Sequence, residues 1–530
     1  MPVGGINDHP RITTLSEASF PIAVLLPELP PRPRSSLRAI SLLSGSMFAQ
    51  FALQFAYQMA LAKWYGADFE MDAFQAAQTI PMVWATILVG TLQYAFVPVF
   101  IQRREQLGAD AAWELAGTTG LILIPGIALL SLVGCLTADP LIRLLFPGYS
   151  AAEIELTVSL FRVMVWLTWT ISVTAFFQTV LQAAQIYGPA AVGPFLGTLV
   201  TFVASWFTYS SWGIHGIAWS TVGGALVSLL WQAPLYCRNA RHRLRIDDGT
   251  RQMWLMLLPL LVGAAIYKLD PLLDRYLASE LATGSVSQLS YASRLIAAFL
   301  TLTTNGLAVV VFPVLVAHAA SGNREHLKAE VGHALQFLVF LLLPLCLAVG
   351  WYPIPIVRDL FERGRFTPED TYIVAELLLL YLGVLIGGSA GEILSKTFFA
   401  LGDSRTPTII RIVGFVIAAT LKLWWGTRYG LRGLVWATSC YYLLVATLDW
   451  VLLNRRVGMI PLHQVWDSAA KCAAAAVVAL GVATLVLNGQ YRGVTVLAGG
   501  VGGIVYLITT AVLHESIALR IVRGIGRRRT

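Results

Sequence analysis

The stretch Ile80–Phe100, IPMVWATILVGTLQYAFVPVF, carries no charged residue from end to end. A helix of about 20 such residues, rising 1.5 Å per residue, crosses the roughly 30 Å hydrocarbon layer of a bilayer. Outward from it, similar runs recur along the whole chain, separated by short clusters of charged and turn-forming residues. They mark spans at Leu37–Ala62, Ala73–Ile101, Ala112–Leu136, Leu156–Ala184, Pro189–Tyr209, Ile214–Tyr236 and Met253–Tyr276, followed by Ser285–His318, His333–Trp351, Thr371–Ala400, Pro407–Gly426, Leu431–Leu453, Ser468–Leu487 and Gly493–Leu513. The composition agrees. Of 530 residues, 57% are apolar or aromatic and only 12% charged, against about 25% charged in soluble domains. Mean hydropathy is +0.69. A water-soluble globule is excluded, and the fold class expected is an all-α polytopic membrane protein of about 14 transmembrane helices.

The 37 Lys and Arg exceed the 29 Asp and Glu, giving a formal net charge of +8, and their placement orients the chain. Arg32, Arg34 and Arg38 precede the first span, Arg103 and Arg104 follow the second, and Arg238, Arg241, Arg243 and Arg245 follow the sixth. Counting spans puts Arg324, Lys328, Arg455, Arg456 and the tail Arg520, Arg523, Arg527, Arg528 and Arg529 on the same side, which the positive-inside rule makes cytoplasmic, both termini included. The opposite loops are acidic or balanced, with Asp68, Glu70, Asp72, Asp139, Glu153 and Glu155. Juxtamembrane arginines facing anionic headgroups account for the basic balance, so the bilayer, and no nucleic acid, is the expected partner. Prolines break the apolar residues of LLPELPPRPR (Leu25–Arg34) too often for a span or signal core, and a disordered cytoplasmic extension is expected. Five scattered cysteines support neither a disulfide framework nor a metal site.

Ions inside a bilayer cost at least about 2.5–3.5 kcal/mol each on insertion scales, so those within the spans carry the most information. In YKLDPLLDRYLAS (Tyr267–Ser279), Lys268, Asp270, Asp274 and Arg275 fall within about two turns around a helix-breaking Pro271. Asp270 and Asp274 share a helix face, where like charges require either a shared proton or a paired cation, and either condition couples to ion movement. Interfacial snorkelling is the bland alternative for Arg275 and its neighbours. Arg294, in SYASRLIAAF, is a lone guanidinium in an apolar helix and the strongest candidate to hold a phosphate or diphosphate, with an ion pair to Asp270 or Asp274 as the structural alternative. Glu392 and Lys396 stand at i and i+4 and pair with each other or serve ligand and ion. The early spans carry glutamines instead of ions, among them Gln50, Gln54, Gln58, Gln75, Gln78 and Gln93, which either line a cavity or join helices by hydrogen bonds. Lys422 and Asp449 receive no role. No HExxH, GxSxG, GxxxxGK[ST] or DxD pattern occurs, and an enzyme is not expected.

Several stretches resemble one family in order and spacing. LAKWYGADFEMDAF (Leu61–Phe74) with Ile80–Phe100, then LASELATGSVSQLSYASRL (Leu277–Leu295), VVFPVLVAHAASGN (Val310–Asn323), LFERGRFTPEDT (Leu360–Thr371) and TFFALGDSRTP (Thr397–Pro407), are similar to segments of the MurJ/MviN family of lipid-linked saccharide flippases. The resemblance implies two pseudo-symmetric six-helix lobes in a V shape plus two C-terminal helices, in a bacterial inner membrane. The divisions are 1–36 as extension, 37–245 and 246–457 as lobes, 458–514 as the added helices and 515–530 as a basic cytoplasmic tail. It also implies export of an undecaprenyl-diphosphate-linked saccharide, lipid II or an exopolysaccharide or O-antigen repeat unit, by alternating access. Arg294 matches the arginine of the family's ADRL-like motif and Asp72 its acid after the first helix. The expected substrate contacts are Arg294, Arg275, Lys268, Lys396, Gln54 and Gln78, and the expected ion-coupling acids Asp270, Asp274, Asp72 and Glu392. There is no cofactor, and Na⁺, H⁺ or the membrane potential drives transport. The chain departs from the family where lipid II members carry first-helix arginines, at Gln50 or Phe51 and Tyr57, and where they carry LLRR, at Val83–Thr86. A MATE-like cation-coupled exporter and a non-transporting scaffold for a glycan polymerase or synthase are the alternatives.

Overall fold

The computed structural model describes residues 34–241, 243–244, 247–487 and 494–513, and all regular structure in them is helical. The expected extension lies outside these residues up to 33, while residues 34–36 already belong to the first helix; the basic tail 515–530 also lies outside them. Nine helical stretches among the described residues are long and apolar enough to cross a membrane.

The first half comprises α1 (Arg34–Tyr65), α2 (Phe69–Leu107), α3 (Ala109–Leu136), short α4 (Ala138–Leu145), α5 (Ala151–Met164), α6 (Trp166–Ala183), α7 (Tyr187–Thr208) and α8 (Gly213–Asn239). The second comprises α9 (Asp248–Lys268), α10 (Asp270–Ser279), α11 (Ser285–Leu300), a π turn (Thr301–Asn305), α12 (Gly306–Ala320), α13 (Arg324–Trp351), short α14 (Pro353–Phe361), α15 (Pro368–Leu380), α16 (Leu382–Ala400) and α17 (Arg405–Val457). Then come α18 (His463–Leu487) and α19 (Val494–Val512). Each half thus has a long helix, a short one and then a helix broken in mid-course, at Val165 between α5 and α6 and at Tyr381 between α15 and α16. The broken helices begin alike. Ser150 with Glu153, and Thr367 with Asp370, form reciprocal capping boxes that satisfy the first free N–H groups. The internal repeat is therefore visible in capping as well as in order.

The two spans that the sequence separates between Gly426 and Leu431 are two helices, the parts of α17 on either side of a break at Gly430 (φ 60°, ψ −140°), and they fold against each other, with Trp425 stacked on Trp436 and Gly414 close against Tyr441 and Val445. By contrast, the predicted span Met253–Tyr276 is divided at Leu269, where Pro271, at the start of α10, cannot continue the ladder of α9.

One apolar core joins both halves through Phe74, Phe146, Phe161, Tyr291, Phe361 and Phe398. A second lies within the first half around Phe96, Phe176 and Tyr236 and takes in Met253 and Leu257 of α9. The second half's opening helix therefore leans on α2 of the first. The outer surface exposes large apolar and aromatic groups, Leu136, Phe207, Trp212, Leu255 and Trp424 among them, as a lipid-facing surface requires.

Candidate functional site

Along α2, Gln75, Gln78, Thr79, Met82, Val83 and Thr86 form one stripe at intervals of three and four residues, so they share a face. That face forms one wall of a cavity of about 260 Å³. The facing wall is Lys268 at the end of α9, Pro271 and Arg275 of α10 and Arg294 of α11. Breaking the predicted seventh span brings Lys268, Pro271 and Arg275 to this wall. The cavity thus lies between the halves, with every lining charge positive and every one on the second half.

Arg294 does not pair with Asp270 or Asp274. Its Nη2 donates to Gln75 Oε1 at 2.8 Å and Gln78 Oε1 at 3.1 Å, so the guanidinium meets amide dipoles and keeps its full charge. Arg275 is half-buried, and its Nε is buried without a hydrogen-bond partner among the described residues. Arg275 stands on the cavity wall. Of the stretch Val83–Thr86, where the sequence departs from the family's LLRR pattern, Val83 and Thr86 reach the same cavity, so this wall is uncharged.

The expected ion-coupling carboxylates have other partners. Lys422, fully buried on α17, sets Nζ 2.7 Å from Asp270 Oδ1 and 2.7 Å from Asp274 Oδ1. The like charges of α10 are thus held together by a tethered ammonium. Asp72, 2% exposed, accepts the backbone N–H groups of Gly284 at 2.6 Å and Ser287 at 2.7 Å, capping α11 from the opposite half. Glu392 and Lys396 approach each other at 3.4 Å on α16 and do not line the cavity, and Gln54 is exposed on α1 away from it.

Sequence reasoning passed over Lys422 and Asp449. Each was signalled as a lone ion in an apolar run, but nothing local named its partner across the bundle. Asp449 accepts from Ser395 Oγ at 3.0 Å, and Arg411 donates to that same oxygen at 3.1 Å, tying α16 to two parts of α17.

Beyond the cavity, the halves are sealed at the end that carries the loops after α1, α10 and α14. Tyr291 donates to the Gly66 carbonyl at 3.0 Å, Arg365 pairs with Glu70 at 2.9 Å and its backbone N–H donates to Lys63 O at 3.0 Å. Within the second half, Gln288 donates to Asp370 at 2.9 Å and ties α11 to α15 behind this seal. Gly66 (φ 62°) and Gly364 (φ 62°) permit this approach, because a Cβ on either would run into the facing backbone.

The structure thus defines a two-half helical bundle with a polar cavity between its halves. The fold matches a structure of a lipid II flippase MurJ in an inward closed conformation at TM-score 0.76, with 20% identity over 90% of this chain and 99% of that one. It also matches an inward-facing multidrug resistance MATE family transporter at TM-score 0.67, with 18% identity over 79% of this chain and 98% of that one. The chain itself belongs to the family described as lipid II flippase MurJ, which it matches over residues 61–498. It is 28% identical to the probable lipid II flippase MurJ of Bdellovibrio bacteriovorus, covering 72% of this chain and 76% of that protein. It is 26% identical to the lipid II flippase MurJ of Burkholderia cenocepacia, covering 73% and 77%. Membership makes it a multi-pass membrane transporter rather than an enzyme.

Proposed function

We propose that this chain is a flippase that carries a polyprenyl-diphosphate-linked glycan from the cytoplasmic to the outer leaflet of a bacterial inner membrane by alternating access, with both termini cytoplasmic. One observation carries the reading: a cavity between the halves gathers Arg294, Arg275 and Lys268 with no carboxylate on its wall. Cations gathered at membrane depth are costly unless an anion visits them, and a guanidinium binds a diphosphate through paired, charge-assisted hydrogen bonds. The amides of Gln75 and Gln78 and the hydroxyls of Thr79 and Thr86 supply the neutral donors and acceptors that a sugar needs. The polyprenyl tail stays in lipid, so only the polar head needs the cavity. The seal at the end that the sequence assigns to the outer face fits a state awaiting cargo from the cytoplasm.

Lipid II is the cargo named for the relatives, and the uncharged α2 wall favours a second candidate, an exopolysaccharide or O-antigen repeat unit. Complementation in a bacterium depleted of its own lipid II flippase separates them. Growth with lipid II exposed on the outer leaflet assigns lipid II; failure of a correctly inserted protein assigns the other glycan. In whichever assay shows export, Arg294→Gln with Arg275→Gln abolishes it at unchanged protein level, and full export by that variant overturns the proposal.

A further inference from the structure

The acceptors that Arg294 finds in this state are neutral and come from the opposite half. Gln75 and Gln78 stand one turn apart on α2, and both amide oxygens converge on a single guanidinium nitrogen of α11, at 2.8 and 3.1 Å. Two oxygens on one Nη2 imitate what two phosphate oxygens would offer the same nitrogen. They differ in charge. Hydrogen bonds to an ionised acceptor are roughly twice as strong as those between neutral groups. Among the described residues no carboxylate lines the cavity, so none there competes with an incoming phosphate for Arg294.

We propose that Gln75 and Gln78 are positioning residues that hold the place of the cargo's phosphate oxygens, and that cargo binding moves Arg294 from these amides to the diphosphate and unfastens α2 from α11. This rests on the flippase reading above and extends it to how occupancy is sensed. In the empty state the bridge ties the halves together at cavity level and keeps the guanidinium extended toward α2. Once phosphate takes Nη2, the bridge is gone and both amides are free to meet sugar hydroxyls. Neutral acceptors suit the task, because they orient Arg294 without outbidding the cargo. A carboxylate at either position would hold Arg294 permanently.

The test uses the full chain in lipid nanodiscs with undecaprenyl diphosphate as the probe. Affinity is read by native mass spectrometry. The distance between the halves is read by spin labels at Gln102→Cys on α2 and Thr408→Cys on α17, with the native cysteines replaced. Gln78→Glu is expected to weaken binding at least tenfold, and Gln78→Asn to stay within about threefold of the unsubstituted chain, since each 1.4 kcal/mol is a factor of ten. Gln75→Ala with Gln78→Ala is expected to bind at least as tightly as the unsubstituted chain, yet to show a broadened distance that the probe no longer shifts. Unchanged affinity in Gln78→Glu, or a normal probe-induced shift in the double alanine variant, overturns the inference and leaves the flippase reading standing. Failure of the unsubstituted chain to bind the probe overturns both.

Discussion

Lys422 shows what a single residue contributes when a bilayer surrounds it. Its ammonium is fully buried and satisfied by two carboxylates that would otherwise repel each other on α10. Removing one partner from such a cluster leaves charge without compensation and costs about 3–5 kcal/mol, whereas replacing the whole cluster by neutral groups is far milder. Lys422→Met is therefore expected to lower thermal stability sharply in detergent, and adding Asp270→Asn and Asp274→Asn to recover most of the loss. If the single variant melted with the parent, the cluster would not be holding α10 to α17. The sequence made Arg294, Arg275 and Lys268 legible as cavity cations because lone charges in apolar runs must face something polar. It left Lys422 and Asp449 unassigned, because the pairing spans more than 140 positions for one and crosses to α16 for the other. Gln75 was visible only as one of many glutamines; its bond to Arg294 depends on packing between halves that no local pattern encodes.

At the scale of the element, hydrophobic runs located the helices well, and their interruptions less well. The turn at Gly430 reads from sequence as a connection between two spans, and it is one: the backbone leaves helical geometry there and the two parts of α17 pack side by side through Trp425 and Trp436. Its φ of 60° with ψ of −140° is a glycine conformation, and a Cβ there would have open space, with Leu281 no nearer than 3.9 Å. The cost of Gly430→Ala is thus conformational alone, on the order of 1–3 kcal/mol. Thermal melting of the variant checks this, and an unchanged melting temperature would show that the bend tolerates a side chain. The break at Leu269 was foreshadowed by Pro271, whereas those at Val165 and Tyr381 carry no proline to announce them. Capping was also hidden in part: Ser150 and Thr367 announce their helices locally, but α11 is capped by Asp72 from more than 200 residues away.

At the scale of the whole molecule, the two halves are unequal partners: one supplies charge, the other neutral polar groups. With the α10 carboxylates already holding Lys422, no acidic pair lines the cavity among the described residues to take an alkali cation. The proposed diphosphate cargo is itself anionic, and an inside-negative potential would favour its outward passage by about 2.3 kcal/mol per charge for each 100 mV. Export is expected to continue when sodium is replaced by choline and to fall when the potential is collapsed; a collapse on sodium removal would instead show that a cation site forms elsewhere. Outside the halves, the pair α18 and α19 keeps a small core of its own, Cys472, Ala475, Ala476 and Tyr506 closing on Phe340 of α13, while Tyr352 donates to Leu480 O. That separateness has a meaning in time. The pair leaves the ribosome after every cavity residue has been made, and among the described residues its core takes only α13 from the lobes, so the two halves can close on each other before this hairpin arrives.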